Sequence, residues 1–157
     1  MATKQARLPY WDLSPEAVKA LRSLNQQLDR AGLDPAIVDL VRLRASQVNG
    51  CVYCIDMHTR EALENGETEE RLDALAGWHD SPMFDTRERA ALAWTESLTR
   101  VAETNAPDED FALVSAHFSP KEISDLTFVI AIINAWTRVA IGFRQPVVNP
   151  VRATATR

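Results

Sequence analysis

Hydrophobic residues recur three or four positions apart along most of the chain, which is the spacing of one face of an α-helix. Val18, Leu21, Leu24 and Leu28 form one such run, and the mostly apolar stretch after Ser119 is the longest. Alternation of apolar and polar residues, the mark of a half-buried strand, is absent from the sequence. The pattern predicts seven helices, over about residues 15–31, 35–49, 51–64, 68–76, 85–103, 108–117 and 120–141.

Residues that favour helix starts lie at the beginning of several of these segments. Ser14-Pro15 and Asp34-Pro35 each place an N-cap residue before a proline at the first helical position. Asp85-x-x-Glu88 and Ser119-x-x-Glu122 have the spacing of a capping box, in which two side chains satisfy free backbone N–H groups reciprocally. These signals fix four helix starts more firmly than hydrophobic spacing alone.

The two ends of the chain are predicted to be irregular. Residues 1–13 form a leader without helical periodicity. Pro146 and Pro150 predict an extended tail after Phe143, and the last five residues, 153–157, are predicted to be disordered. We therefore expect a single domain over residues 1–157.

Composition agrees with this organisation and narrows the function. Hydrophobic residues make up 46% and charged residues 25% of the 157, which is typical of one globular domain. We predict an all-α fold, a compact bundle of about six or seven helices. The net charge of -5 argues against nucleic acid as a partner, and no continuous apolar run reaches membrane-spanning length. Without a signal-peptide pattern, a cytoplasmic location is expected.

The candidate chemistry lies in Asn49-Gly50-Cys51-Val52-Tyr53-Cys54-Ile55-Asp56-Met57-His58. Both cysteines of the chain are here, three residues apart, and a histidine follows four residues later. On a helix that starts at Gly50, these three side chains share one face. The helix N-terminus favours thiolate, and a spacing of three residues, about 5 Å between Cα atoms, permits a disulfide. The motif therefore predicts a reactive dithiol with its own base.

The cysteines admit three other interpretations. Free cysteines are often small core residues, but both of this chain's cysteines stand together. Structural zinc needs four ligands, and only His79, His117 or an acidic residue can complete a set with the motif. Covalent haem attachment requires C-x-x-C-H, whereas Ile55 follows the second cysteine. A redox pair is the interpretation that fits best.

Asp39 is a further candidate, twelve residues before Cys51 and within an apolar helical segment. A surface aspartate is the simplest interpretation. If the helices of residues 35–49 and 51–64 form a hairpin, however, its carboxylate can orient the imidazole of His58 and stabilise its cation. The order of the cysteines is also open at this point. Helix-dipole reasoning favours Cys51 as the more acidic thiol, whereas proximity to His58 favours Cys54.

The motif and its surroundings resemble the alkylhydroperoxidase D-like branch of the carboxymuconolactone decarboxylase family. The resemblance rests on the sixteen residues Leu43–His58, and it extends to Leu8-Pro9-Tyr10, to Trp78–Phe84 with the following Glu88–Leu92, and to Ile133–Trp136. It covers about residues 8–145, and the central motif is highly specific.

This resemblance implies an all-helical homo-oligomer, commonly built from trimers, with a trimer or hexamer expected. It also implies a peroxidase in which the second cysteine attacks the hydroperoxide and the first resolves the sulfenic acid. Cys54 is then the peroxidatic residue, Cys51 the resolving residue and His58 the base of a proton relay. The family's relay glutamate corresponds to Asp39, whose side chain is one methylene shorter, so that a bridging water is expected.

We therefore expect a dithiol peroxidase that uses a Cys51–Cys54 disulfide, an external dithiol electron donor and no bound cofactor or metal. Two other functions stay open. One is a non-enzymatic, redox-responsive oligomer; the other is a decarboxylase or isomerase of a small cyclic acid. The resemblance argues against the latter, because family members that decarboxylate lactones lack the cysteine pair.

Overall fold

The structure is a computed structural model, and it describes residues 5–147. Within these residues all regular elements are helical: nine α-helices and one turn of 3-10 helix, Leu75–Gly77. The α-helices are α1 (Tyr10–Leu13), α2 (Pro15–Asp29), α3 (Pro35–Asn49), α4 (Val52–Glu64), α5 (Glu69–Ala74), α6 (Thr86–Thr99), α7 (Val101–Thr104), α8 (Asp108–Ser115) and α9 (Pro120–Phe143).

Three of the four helix starts expected from the sequence are confirmed by side-chain hydrogen bonds, whereas Ser14 makes no such bond at the start of α2. Asp85 and Ser119 each cap a helix through a complete capping box, with Glu88 and Glu122 bonding back to the cap residue. The Asp34 carboxylate accepts the backbone N–H of Ala36 at 3.0 Å and caps α3. Side-chain caps therefore set the first turns of α3, α6 and α9, which form the centre of the fold.

The number of helices exceeds the expected six or seven because two single-turn helices were not predicted. Tyr10–Leu13 is helical where an irregular leader was expected. The segment predicted as one helix up to residue 103 divides at Arg100, whose backbone leaves the helical range with φ −100° and ψ 31°. Each additional element is four residues long, too short for hydrophobic periodicity to distinguish it from a turn. The predicted tail beyond Val147 lies outside the described residues.

Two groups of buried side chains lie on either side of α3. One group joins α3 to α2, α6, α8 and α9, with Val41, Leu126 and Val129 fully buried. The other joins α3 to α4, α5 and the turn at Leu75, which is also fully buried. Because α3 contributes to both groups, its C-terminal end, where the cysteine motif begins, is fixed from two directions.

A buried polar network ties the end of α3 to α9. The Asn49 amide donates to Asn134 Oδ1 at 3.0 Å and to Thr137 Oγ1 at 3.1 Å. The Asn134 amide in turn donates to Thr99 Oγ1 at 3.0 Å. Buried polar groups stabilise a fold only when their hydrogen bonds are satisfied, as they are between these side chains. The network holds the residue two positions before Cys51 in place.

The helix α9 is apolar over most of its length, although the sequence contains no continuous apolar run long enough to span a membrane. By length and composition it is able to cross a membrane, a property that it shares with the central helices of globular domains. In this fold it packs against α2, α3, α4, α6 and α8. Its buried residues, among them Leu126, Ile130 and Ile133, face these helices, which agrees with the prediction that α9 is central.

Candidate active site

The cysteine motif lies at the turn between two antiparallel helices, α3 and α4. Gly50 ends α3 with φ +66°, a left-handed conformation that favours glycine because it lacks a Cβ atom. Cys51 follows at once as the N-cap of α4. Its Sγ accepts the backbone N–H of Cys54 at 3.3 Å. The local sequence therefore places Cys51 at the N-terminus of a helix and Cys54 within its first turn.

The two cysteines are joined by a disulfide. Their Cα atoms are 5.3 Å apart, close to the separation expected for three residues at a helix start. Both side chains are almost completely buried, and they pack against Ala140 of α9 and Tyr53. The structure pairs Cys51 with Cys54, as the sequence predicted.

His58 lies one turn after Cys54, and its side chain is buried. Its Nδ1 is 2.7 Å from Oε2 of Glu61, a residue three positions further along the same helix. Its Nε2 is buried without a hydrogen-bond partner among the described residues. A carboxylate on one ring nitrogen fixes the orientation of the imidazole and leaves the other nitrogen available for proton transfer.

The ionisation of Glu61 is set by this contact. The hydrogen bond with His58 lowers the pKa of Glu61 below its usual value; partial burial opposes this effect, and the charges of His58, Arg42 and Arg60 support it. Glu61 is therefore ionised throughout the neutral range. An anionic carboxylate 2.7 Å from Nδ1 stabilises an imidazolium.

Asp39, the sequence candidate for this role, is placed differently. Its Oδ2 accepts the Asn65 amide at 2.8 Å, and the carboxylate that contacts His58 is that of Glu61. Burial raises the pKa of Asp39, and the hydrogen bond from Asn65 only partly offsets it. The structure thus brings Cys51, Cys54 and His58 together as predicted, and it pairs Asp39 with the end of α4.

The ionisation of Asp39 gives a stability prediction. Since the pKa of Asp39 in the folded protein lies above its ordinary value of 3.8, its stabilising contribution is complete below that pH and is lost as the pH rises through the folded pKa. Asp39→Asn keeps an oxygen that accepts the hydrogen bond from Asn65, and it removes the loss of stability that accompanies ionisation of Asp39. We expect its thermal midpoint at pH 7 to rise by up to about 3 °C, the effect of about 1 kcal/mol in a domain of this size, with the difference vanishing near pH 3.5.

Thermal denaturation of both proteins across this pH range, followed by circular dichroism, measures the difference. Asp73→Asn, an exposed change on α5, serves as the control and should leave the midpoint unchanged. An Asp39→Asn protein that is less stable than the parent at pH 7 would contradict the explanation.

A cavity of about 260 Å³ opens beside Cys54. His58 and Glu61 line it together with Cys54, whereas Cys51 is not among its lining residues. Cys51 instead faces a separate groove, formed with Val52 and Ile141. The two sulfur atoms are therefore approached from different sides, and the histidine lies on the side of Cys54.

The zinc interpretation finds no cluster of ligands in the described part of the chain. Within residues 5–147, no group of three or more histidine, cysteine, aspartate or glutamate side chains has the arrangement to hold a metal ion. His79, one of the proposed additional ligands, stacks on Trp78, with ring centroids 3.7 Å apart.

Comparison with known proteins assigns the family. The sequence model of the carboxymuconolactone decarboxylase family matches residues 15–97, more than half of the chain and including the whole cysteine motif. The chain belongs to this family. The family member also shares 33% identity over 136 residues with YdfG of Bacillus subtilis, an uncharacterised protein; the match covers 87% of this chain and 92% of YdfG.

Solved structures place this family member in the alkylhydroperoxidase D-like branch. ATU0492 of Agrobacterium tumefaciens, a protein of unknown function assigned provisionally to antioxidant defence, has 40% identity and a TM-score of 0.90. The match covers 92% of this chain and 99% of ATU0492. The debrominase Bmp8 has a TM-score of 0.81 at 19% identity, covering 91% of this chain and 77% of Bmp8, and this likeness concerns the fold alone. The predicted all-α fold and family branch are confirmed.

Sequence reasoning about this family member missed Glu61. The signal was present, because His58-x-x-Glu61 has the i, i+3 spacing at which side chains meet on a helix. The resemblance directed attention to the carboxylate at position 39 instead. The cavity-lining Trp11 and Arg22 were missed for a different reason: α1 and α2 reach the site only through tertiary packing.

Proposed function

We propose that the protein is a dithiol peroxidase that reduces hydroperoxides. The observation that carries this proposal is the position of Cys54 beside a buried histidine, in a cavity that admits a small molecule, with its sulfur bonded to that of Cys51. The similarity to ATU0492 supports a role in antioxidant defence. The remaining elements of the mechanism follow from the chemistry of these groups.

In the first step the Cys54 thiolate attacks the distal oxygen of the hydroperoxide. The O–O bond breaks, Cys54 becomes a sulfenic acid, and the leaving oxygen takes a proton and departs as an alcohol or as water. Cys54 is assigned this role because it lines the cavity with His58, while Cys51 faces the other groove.

In the second step the Cys51 thiolate attacks the sulfenic sulfur of Cys54. An S–S bond forms and water leaves, which yields the disulfide present in this structure. Return to the dithiol requires two electrons from an external dithiol donor, by exchange at one of the two sulfurs. The cycle therefore needs a reductant and no further group bound to the protein.

His58 is proposed as the proton carrier. It takes the proton of the Cys54 thiol and supplies one to the leaving oxygen, and Nε2 is the atom free for this transfer. Glu61 orients the ring through Nδ1 and stabilises its cation. Asp39 retains its proposed place in the relay only as a more distant carboxylate, because its hydrogen bond is made to Asn65.

Thiol titration tests the function directly. The reduced protein has two thiols, and we expect one equivalent of cumene hydroperoxide to remove both, with dithiothreitol restoring them and supporting continued peroxide consumption. Boiled protein provides the background rate. The proposal fails if dithiothreitol-dependent peroxide consumption stays at that background and peroxide leaves both thiols free.

A homo-oligomer, trimer or hexamer, is proposed for the assembled protein in the cytoplasm. Val101 and Ala131 line a shallow apolar groove along α7 and α9, and the neighbouring Phe128 is 55% exposed. Exposed apolar patches of this kind favour self-association. Light scattering on reduced and oxidised protein gives the subunit number. A change of size between the two states without peroxide turnover would favour the redox-responsive oligomer over the enzyme.

A further inference from the structure

Four large aromatic side chains line the cavity beside Cys54. Both tyrosines of the protein and two of its four tryptophans line it: Tyr10, Tyr53, Trp11 and Trp136. Trp11 and Trp136 stack with ring centroids 5.9 Å apart, and Tyr10 lies 4.6 Å from Trp11. Aromatic rings offer flat, polarisable contacts that favour another ring over an aliphatic chain of equal size.

One of the two arginines that line this cavity lies outside the ion pairs formed among residues 5–147. Arg42 pairs with Asp29 at 2.7 Å, and His58 pairs with Glu61 at 2.7 Å. Arg22, which also lines the cavity, lies over the Trp11 ring at 4.7 Å from its centroid, and no carboxylate of residues 5–147 forms an ion pair with it. An anionic ligand is therefore favoured at the Arg22 side of the cavity.

Polar atoms without partners are concentrated at the same cavity. In the described part of the chain, four buried side-chain atoms have no hydrogen-bond partner, and three of them belong to cavity residues: Asn25 Oδ1, Trp136 Nε1 and His58 Nε2. Such atoms destabilise a fold unless a ligand or water satisfies them. Trp136 offers a donor and Asn25 an acceptor, so that a ligand with oxygen and hydroxyl groups suits both.

The size of the cavity limits the ligand. Its volume of about 260 Å³ is below the ~300–1,000 Å³ of sites that hold drug-sized molecules. One substituted ring fits this volume.

From these observations we infer that the cavity beside Cys54 binds a single-ring aromatic acid, with its carboxylate toward Arg22 and its ring among the tryptophans. The inference rests on the proposed function only for the reacting group: the physiological oxidant is then a hydroperoxide of such a compound. Reduction gives the corresponding aromatic alcohol, with the peroxide oxygen passing to Cys54 as in the proposed cycle.

Three simple probes separate the parts of this inference. Benzoate has the ring and the charge, cyclohexanecarboxylate has the charge alone, and benzyl alcohol has the ring and a hydroxyl group. Isothermal titration calorimetry on the full-length disulfide form is expected to show benzoate binding about fivefold more tightly than either of the others, since the ring contacts and a largely exposed ion pair each contribute modestly.

Variants of Arg22 on α2 and of Arg30, which follows the last residue of α2, provide the matched comparison. Arg22→Gln should weaken benzoate about fivefold and leave benzyl alcohol within about twofold. Arg30→Gln changes an exposed arginine that lies outside the lining, and it should leave all three affinities unchanged. Circular dichroism of each variant checks that the fold is retained.

The inference is overturned if the three probes bind equally, if benzoate produces no heat at 10 mM, or if Arg30→Gln weakens benzoate as much as Arg22→Gln. None of the probes contains a peroxide bond. Loss of benzoate binding in a protein that still turns over peroxide therefore refutes the ligand class alone. Benzoate binding in a protein whose Cys54 is inert toward peroxide refutes the proposed function alone.

Discussion

Cys54→Ser is expected to abolish peroxide turnover, with a loss of at least about 10³-fold, whereas Cys51→Ser is expected to complete the first half of the reaction. The cavity that contains His58 reaches Cys54 and not Cys51, so that only the Cys54 sulfur meets the hydroperoxide. Cys51→Ser should consume one equivalent of peroxide and stop at a sulfenic acid, because no second thiol is present to resolve it. Dimedone labelling with peptide mass spectrometry locates that sulfenic acid.

The two serine variants control for each other, since each replaces one buried cysteine sulfur by oxygen within the same turn. Their folds are compared by circular dichroism, and steady-state activity should be lost in both. A dimedone label found in Cys54→Ser and not in Cys51→Ser would reverse the assignment. That outcome would mean that the helix dipole, which favours the N-cap cysteine, outweighs the neighbouring imidazole.

The parts of the fold that were predictable are those determined within a few residues along the chain. The capping boxes at Asp85 and Ser119 and the prolines after Ser14 and Asp34 each act within one helical turn. The break at Arg100 escaped prediction because the surrounding residues favour helix. It is followed by Asn105, whose φ of +54° ends the short helix α7. At this break the Thr104 hydroxyl donates to the Ser97 carbonyl at 2.7 Å, a contact between residues seven positions apart that helical periodicity does not reveal.

The candidate site shows the same division between local and distant determinants. The cysteine motif lies at the start of a single helix: Cys51 is the N-cap of α4, and Cys54 and His58 lie in its first two turns. Their spacing alone therefore brings these three residues together. The role assigned to Asp39 depended on the rotation of α3 relative to α4, which the sequence does not determine. In the structure that rotation directs Asp39 toward Asn65 at the far end of α4. Tyr10 and Trp11 reach the cavity through contacts with residues far along the chain, among them the stacking of Tyr10 on Phe143.

Glu61→Gln is expected to slow sulfenic acid formation at Cys54 about tenfold, less than the ~10²–10⁴-fold that a positioned acid–base group contributes, because His58 itself is retained. The substitution keeps the size of the side chain but removes the negative charge 2.7 Å from His58 Nδ1. Without it the imidazolium loses its counter-charge, and the neighbouring thiolate loses the cation that stabilises it. Stopped-flow measurement of reduced protein with cumene hydroperoxide gives the rate. Alkylation of Cys54 by iodoacetamide between pH 5 and 9 gives the reactivity profile, which should move to higher pH.

Two further variants decide which carboxylate serves the histidine. Glu64→Gln, an exposed change at the last residue of the same helix, should leave both the rate and the profile unchanged. Asp39→Asn should slow the reaction less than Glu61→Gln, because its hydrogen bond is made to Asn65. A larger effect at Asp39, with a normal profile in Glu61→Gln, would restore the relay that the family resemblance implies.

Acid unfolding supplies a separate check. Because the pKa of Glu61 in the fold lies below its ordinary value of 4.5, its stabilising contribution is present above that pH and is lost as the pH falls through the folded pKa. Glu61→Gln should therefore lose part of the parent's acid sensitivity while keeping its reduced reactivity at neutral pH, a combination that general destabilisation does not produce.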